Sequence, residues 1–310
     1  MIPGIKVRNS IQLFLIWAFK INPFDGRRIF LFSKFMAGSN SGFFVTKGKM
    51  SGCNFLVHSD DTAASRRIFI GLDDEYLKAV KAIDWVKELK GYQITSFVDV
   101  GANLGHVCIP LITKGAVKIA VAFEPDPRNF KTLQCNLLMN GIGDQVVAVN
   151  SALGEFPEEN LTLEFSDDNH GDHRIRVSKK SGLYNESQRQ SISVRSTNFD
   201  TVLNNRELMG PTQEGLSALL IWIDVQGYEG AVVAGAVKAL ESKPAIALEF
   251  WPYGLERTNN FHKLLRNIKT YDGFYDLAQS NPMWHPLVEL EHFYSKNKGI
   301  DSQILDILLV

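Results

Sequence analysis

The sequence predicts an α/β fold, doubly wound around a mostly parallel sheet, and three observations predict it. From Ser96 onward, short apolar runs alternate with stretches of helical period, the pattern of a parallel sheet covered by helices on both faces. Three of those runs end on an acid, at Asp99, Glu124 and Asp224, each followed closely by glycine or proline. Ligands of such sheets bind at the carboxyl ends of the strands. Finally, 310 residues with 45% hydrophobic and 22% charged side chains are ample for a large core of ordinary composition.

The elements follow in order. Residues 96–100, 117–123, 146–150, 219–224 and 245–250 read as buried strands, and 271–277 and 303–310 complete a seven-stranded sheet. Helices are expected at 107–114, at 127–140, where Pro127 occupies a favoured first-turn position, and at 231–241. Between 154 and 197, β-like pieces at 161–165 and 192–195 flank a polar loop. Residues 96–310 thus form the main domain, and 1–95 a small N-terminal α+β extension of a helix, short hairpins and a second helix. In that extension the runs 42–45, 54–57 and 67–70 read as hairpin strands. Asp73 reads as the cap of a helix carrying Leu77, Val80, Ile83 and Val86.

Composition narrows the function. A formal net charge of −1 offers no field for a nucleic-acid backbone, so no nucleic-acid partner is expected. Cys53, Cys108 and Cys135 are odd in number and widely spaced, which suits small buried thiols in a reducing, cytoplasmic setting better than a disulfide or zinc framework. The apolar run at 11–19, bounded by Arg8 and Lys20, is less than half of the about 20 residues a membrane span requires. It reads as a helix docked on the body, with peripheral contact to a membrane surface as the rival.

Three constellations carry chemistry. Asp99-Val100-Gly101-Ala102-Asn103-Leu104-Gly105 lies between a strand and a helix. Its glycines allow a sharp turn and close approach of a ligand. It fits neither the G-x-G-x-x-G dinucleotide fingerprint nor a phosphate-cradling G-K-S/T loop, while an acid leading the turn suits a ligand with a cationic amino-acid end, such as S-adenosylmethionine. Phe123-Glu124-Pro125-Asp126 ends the next strand, with Glu124 23 residues after Gly101, where a carboxylate accepts hydrogen bonds from ribose hydroxyls. Ile223-Asp224-Val225-Gln226-Gly227-Tyr228-Glu229 follows the fourth strand. Asp224 suits orientation of the methionine amine or of an acceptor. Glu229 serves either as favourable charge at a helix start or as a catalytic acid or base.

These motifs, with Asn136, Asn140 and Ala152-Leu153-Gly154, occur in the order seen in FkbM-type methyltransferases, which the chain resembles over residues 95–250. The resemblance implies a class I methyltransferase (Rossmann-like) fold, S-adenosylmethionine as methyl donor, and O-methylation of a sugar, glycan or other small natural product. By the same likeness Asp99, Gly101, Asn103 and Gly105 line the methionine side. Glu124, with Pro125 beside it, holds the ribose, and Ser151 and Ala152 lie beside the adenine.

Methyl transfer to an alcohol requires in-line alignment and removal of the hydroxyl proton. The candidates for a base are His106, His170, His173, Asp224 and Glu229, with bulk water as the alternative. His170 and His173 stand in Asp167-Asp168-Asn169-His170-Gly171-Asp172-His173, which reads either as a solvated connector or as a lid over the acceptor. Their irregular spacing does not amount to a metal site, and none is expected. Glu249, Trp251 and Tyr253, ending the fifth strand, are the candidate acceptor contacts. Competing readings are a nicotinamide- or nucleotide-sugar-dependent enzyme on the same sheet, and a non-catalytic module that retains only cofactor binding.

Overall fold

The computed structural model describes residues 42–178, 181–204, 218–300 and 303–310. The run at 11–19, and the helix expected there, lie outside these residues. Strands β1 (Phe43–Lys47) and β2 (Asn54–His58) pair as an antiparallel hairpin. Residues 67–70, expected as a strand, instead end helix α1 (Ala64–Ile70). The cause lies in the flanks. Asp61 accepts the N–H groups of Ala63 (3.0 Å) and Ser65 (2.8 Å), and Gly71 closes the helix in the left-handed conformation. End-capping of this kind overrides the β preference of Ile68-Phe69-Ile70.

Asp73 does not cap helix α2 (Tyr76–Lys90), as the sequence had suggested. Its carboxylate accepts the N–H groups of Met50 (3.0 Å) and Ser51 (2.9 Å) and so fixes the β1–β2 turn. The buried stripe of α2 is Tyr76, Ala79, Ala82, Ile83, Trp85 and Val86, leaving Leu77 exposed. Two of the cysteines are buried as expected. Cys135 is exposed, because it falls on the outer face of its helix.

The main sheet follows. Strand β3 (Ser96–Val100) leads to α3 (Cys108–Thr113) and β4 (Ile119–Phe123), then to α4 (Pro127–Met139) and β5 (Val146–Val149). After β5 come the short β6 (Ala152–Leu153), β7 (Asn160–Glu164), β8 (Arg174–Ile175) and β9 (Ser191–Thr197), which form a separate four-stranded sheet in the order β6-β9-β7-β8. The chain returns through α5 (Phe199–Asn204) to β10 (Leu219–Ile223), α6 (Glu229–Ala234), α7 (Val237–Glu241) and β11 (Ala245–Phe250). It closes with α8 (Pro252–Arg257), α9 (Phe261–Ile268), β12 (Gly273–Asp276), β13 (Trp284–Pro286), α10 (Val288–Asn297) and β14 (Leu305–Leu309).

The order is β13-β12-β14-β11-β10-β3-β4-β5, with the five strands from β11 to β5 parallel and β14 antiparallel to β11. Eight strands appear where seven were expected, because the chain after β12 doubles back as the short edge strand β13. The helix expected at 231–241 is broken into α6 and α7. At the break, a Cβ on Gly235 would lie 2.1 Å from the Gly154 carbonyl oxygen, so the chain can pass there only as glycine.

Every residue of β3 is buried, and its side chains divide between two cores. Phe97 joins Phe55, Val57, Trp85 and Leu104 on one face, and Val98 and Val100 join Val121, Ile221 and Val232 on the other. Alternating side chains in a doubly covered strand produce this division. β3 pairs with β4 on one side and β10 on the other, so the winding reverses between β3 and β10 and opens a crevice at their carboxyl ends. Among the described residues, no helix is long and apolar enough to cross a membrane.

Candidate functional site

A cavity of about 500 Å³ occupies that crevice, within the range of roughly 300–1,000 Å³ usual for ligand pockets. Of the residues expected to hold a cofactor, Gly101, Asn103, Glu124, Pro125, Ser151, Ala152 and Asp224 line it. Gly101 (φ 91°) sits where the β3 and β10 loops touch, and a Cβ there would lie 1.9 Å from the Asp224 carbonyl oxygen. Asp99 and Gly105 are not on the wall. Asp99 lies buried beneath the turn, its carboxyl hydrogen-bonded by Cys108 and pushed up to about 6 by burial. Gly105 packs against Ile109 and Leu133. Both shape the turn from below.

Glu124 is fixed entirely by backbone donors. Its Oε2 accepts the N–H of Asn103 and its Oε1 the N–H of Asp126, each at 2.8 Å. Burial pushes its pKa up to about 8, opposed by these two donors. Asp126 in turn caps α4, accepting the N–H groups of Arg128 (3.1 Å) and Asn129 (3.3 Å). Asn103, next to Glu124 on the wall, has a buried Oδ1 without a hydrogen-bond partner.

Across the cavity, Asp224 and Glu249 end the neighbouring strands β10 and β11. The Gln226 amide nitrogen donates to Asp224 Oδ1 (2.6 Å) and to Glu249 Oε2 (3.0 Å), joining the two carboxyls. Burial raises both pKa values, and the pair's mutual repulsion raises Glu249 further. Glu229 is fully buried and does not reach the wall. Its Oε1 accepts the N–H groups of Val225 (3.2 Å) and Gly227 (3.0 Å), bracing the loop that presents Asp224 and Gln226. Burial moves it up to about 7.

The β6-β9-β7-β8 sheet carries the expected polar loop over the cavity, so His170 and His173 line the wall, His170 buried and His173 half-buried. His173 Nδ1 accepts the Ser166 N–H (3.2 Å), which occupies its lone pair, and burial with neighbouring cations lowers it to about 3. His106 also lines the cavity. Of the acceptor candidates only Glu249 reaches the wall. Trp251 and Tyr253 stand behind Arg174, whose guanidinium lies 4.9 Å from the Trp251 ring, and the Tyr253 hydroxyl donates to Glu186 (2.6 Å).

Among the wall residues not singled out from the sequence are Lys78, Arg174, Gln226 and Asp306. Gln226 stood inside a recognised motif between two acids, and that position was a usable signal. Lys78 and Asp306 pair at 2.6 Å across 228 residues of chain, which no local pattern reveals.

The family model described as the methyltransferase FkbM domain matches residues 99–274. The structure is similar to that of methyltransferase FkbM from Methylobacillus flagellatus, at 16% identity and a TM-score of 0.39, over 79% of this chain and 54% of that one. It is also similar to TYW2 of Pyrococcus horikoshii in complex with MeSAdo, at 14% identity and a TM-score of 0.37, over 87% and 72% of the respective chains. A segment of 64 residues is 38% identical to the tRNA(Phe) (4-demethylwyosine(37)-C(7)) aminocarboxypropyltransferase of Pyrococcus horikoshii, covering 21% of this chain and 23% of that protein. The chain therefore spans about a quarter of that curated relative and about half of the Methylobacillus structure.

Proposed function

The chain belongs to the methyltransferase FkbM domain family, and from that premise we propose that it methylates a hydroxyl of a sugar, glycan or other small natural product, with Asp224 as general base. Membership of that family supports S-adenosylmethionine as the methyl donor in preference to the nicotinamide and non-catalytic readings. The wall residues fit that cofactor. Glu124 keeps lone pairs free beside its backbone donors, the Gly101 turn has no Cβ to obstruct a ligand, and Asn103 Oδ1 has no protein partner. In this reading Glu124 accepts from the ribose hydroxyls, Gly101 and Asn103 hold the methionine end, and Ser151 and Ala152 border the adenine. Asp99 and Gly105 support the turn. Residues 96–310 form the cofactor-binding domain, and the extension before them walls the acceptor side through Arg67, Glu75 and Lys78.

When bound, S-adenosylmethionine supplies a methyl already electrophilic on sulfur. The protein's task is to orient an acceptor oxygen and take its proton. The observation that carries the reading is the pair of wall carboxyls joined through one amide. With Asp224 Oδ1 engaged by Gln226, Oδ2 is left to receive the hydroxyl proton. A base raised toward neutrality is matched to that step. Glu249, whose proton is held more tightly through burial and its neighbour's charge, suits donation to the acceptor instead. His173 has no free lone pair for the task, and Glu229 is out of reach.

The test is to incubate the enzyme with methyl-labelled S-adenosylmethionine and fractionated cell extract. Label in small-molecule or glycan fractions, as an alkali-stable methyl ether, supports the reading. Label in RNA would overturn it. An RNA acceptor is what the name of the Pyrococcus relative says of that protein. A net charge of −1 gives this chain no general attraction to a phosphate backbone.

A further inference from the structure

Beside the cavity, three side chains from separate elements converge: His58 at the end of β2, Asp60 in the following turn, and His170 in the loop over the cavity. A potential ligand atom of each lies within 4.8 Å of the others. His58 is fully buried, and His170 is only 6% exposed. The Nδ1 atoms of both have no hydrogen-bond partner. The His170 nitrogen that faces Asp60 is Nε2, 3.8 Å from Asp60 Oδ1. Orphaned buried imidazole nitrogens are costly unless something binds them.

Thr132 Oγ1 lies 3.0 Å from both the Arg128 carbonyl oxygen and His58 Nε2. With its single proton directed to the carbonyl one turn back, as helical threonines do, the ring Nε2–H donates to Oγ1 and Nδ1 presents an unshared lone pair. A histidine whose second nitrogen donates to a fixed oxygen is the arrangement that orients imidazole toward a metal. Asp60 is oriented as well, accepting from Arg128 Nη1 (3.0 Å) and Nη2 (2.9 Å). His170 is held by its backbone, its N–H bonded to Asp61 (3.2 Å) and its carbonyl to the Asn129 amide (3.3 Å).

We propose that His58, Asp60 and His170 bind a divalent transition-metal ion, which pins the loop over the cavity to the end of β2. Two imidazoles and one carboxylate select Zn2+ or a neighbouring ion over Mg2+ or Ca2+, which prefer all-oxygen sets. Bonds of about 2.0–2.1 Å place tetrahedral ligands about 3.3 Å apart, so side-chain rotations of little more than an ångström close the set. The role is structural. The ion joins the N-terminal hairpin to the segment over the cofactor and takes no part in methyl transfer.

The test uses Co2+ as an optical probe on the full chain after chelation and dialysis, with Zn2+ in competition. The expected result is one Co2+ per chain with tetrahedral visible absorption, displaced by Zn2+, and a higher melting temperature in Zn2+. His58→Gln and His170→Gln each weaken binding at least tenfold. Thr132→Val, which only removes the acceptor for Nε2–H, weakens it about 10–100-fold. Should the buried histidine variants fail to fold, Asp60→Asn and Thr132→Val decide the matter. A folded wild type that binds neither ion overturns the proposal, and so does binding unchanged by these substitutions. The methyl-transfer assay does not enter this test, so the two readings fail separately.

Discussion

The cavity's two ends both present carboxyls, Glu124 buried and Asp224 and Glu249 half-buried, but they hold them in opposite ways. Glu124 is gripped by two backbone N–H groups, which cannot move without the β3 and β4 turns moving too. Asp224 and Glu249 are joined by one side-chain amide, which can rotate. A group that only binds gains from rigid donors fixed in advance, because no reorganisation is then needed on binding. A group that gains and loses a proton must have both forms accommodated, and a rotatable amide, donor on one atom and acceptor on the other, provides this.

The sharpest way to break the comparison is to remove the base while keeping the shape. Asp224→Asn should lower turnover by about 10²–10⁴-fold, the usual share of a general base. Affinity for S-adenosylhomocysteine, measured by calorimetry, should stay within a few-fold. A variant that loses cofactor affinity and turnover together would place Asp224 among the binding groups and erase the distinction. Glu124→Ala should do the reverse. Loss of a charge-assisted acceptor for the ribose, at about 1.5–3 kcal/mol, predicts S-adenosylhomocysteine binding weaker by about 10–100-fold. Saturating cofactor should then restore most of the turnover.

A smaller effect is expected behind the binding end. Asn136 is fully buried on α4. Its Oδ1 accepts the Leu56 N–H (2.6 Å), and its Nδ2 donates to the carbonyls of Leu56 (3.2 Å) and Leu104 (2.8 Å). One turn on, Asn140 repeats the pairing with Asn54 (2.9 and 2.7 Å). The two amides thus serve β2 as a neighbouring strand would, and tie the hairpin to the glycine turn. Asn136→Ala removes the partner of one buried and two part-buried backbone groups and should cost about 2–4 kcal/mol in urea denaturation. If rigidity of the turn matters to binding, cofactor affinity falls with it.

The pair Asn136 and Asn140 also marks what the sequence made legible. Their presence beside the glycine turn was plain, but their task was not, since it requires knowing that β2 lies alongside α4. The parallel strands were readable because both faces are covered and each is a continuous apolar run. The Arg67–Ile70 segment was misread because its own side chains favour a strand while Asp61 and Gly71, outside the run, decide for a helix. The acids at the ends of β4 and β10 were legible for a similar reason, each terminating an apolar run. The Lys78–Asp306 pair and the His58, Asp60 and His170 cluster were not, because they are made only by tertiary contact.

The effect that touches both ends together is in pH. Burial raises Asp99 from 3.8 to about 6, Glu229 from 4.5 to about 7 and Glu124 from 4.5 to about 8. Between the ordinary and the raised value the folded state binds more protons than the unfolded state, so stability falls as pH rises. The contribution is fully present below about 4 and is lost as pH climbs through 6 to 8, each group adding a slope of at most about 1.4 kcal/mol per pH unit. The melting temperature of the free protein should therefore decline between pH 5 and 8. Glu229→Gln keeps an oxygen for the Val225 and Gly227 N–H groups and should flatten the part of the decline up to about pH 7, leaving the Glu124 part above it. S-adenosylhomocysteine, whose ribose hydroxyls donate to ionised Glu124, should bind more tightly as pH rises toward 8 and offset the loss at the binding end alone. A melting temperature that rises over this interval would mean that these carboxyls are already ionised in the free protein, and that the backbone grip on Glu124 outweighs its burial.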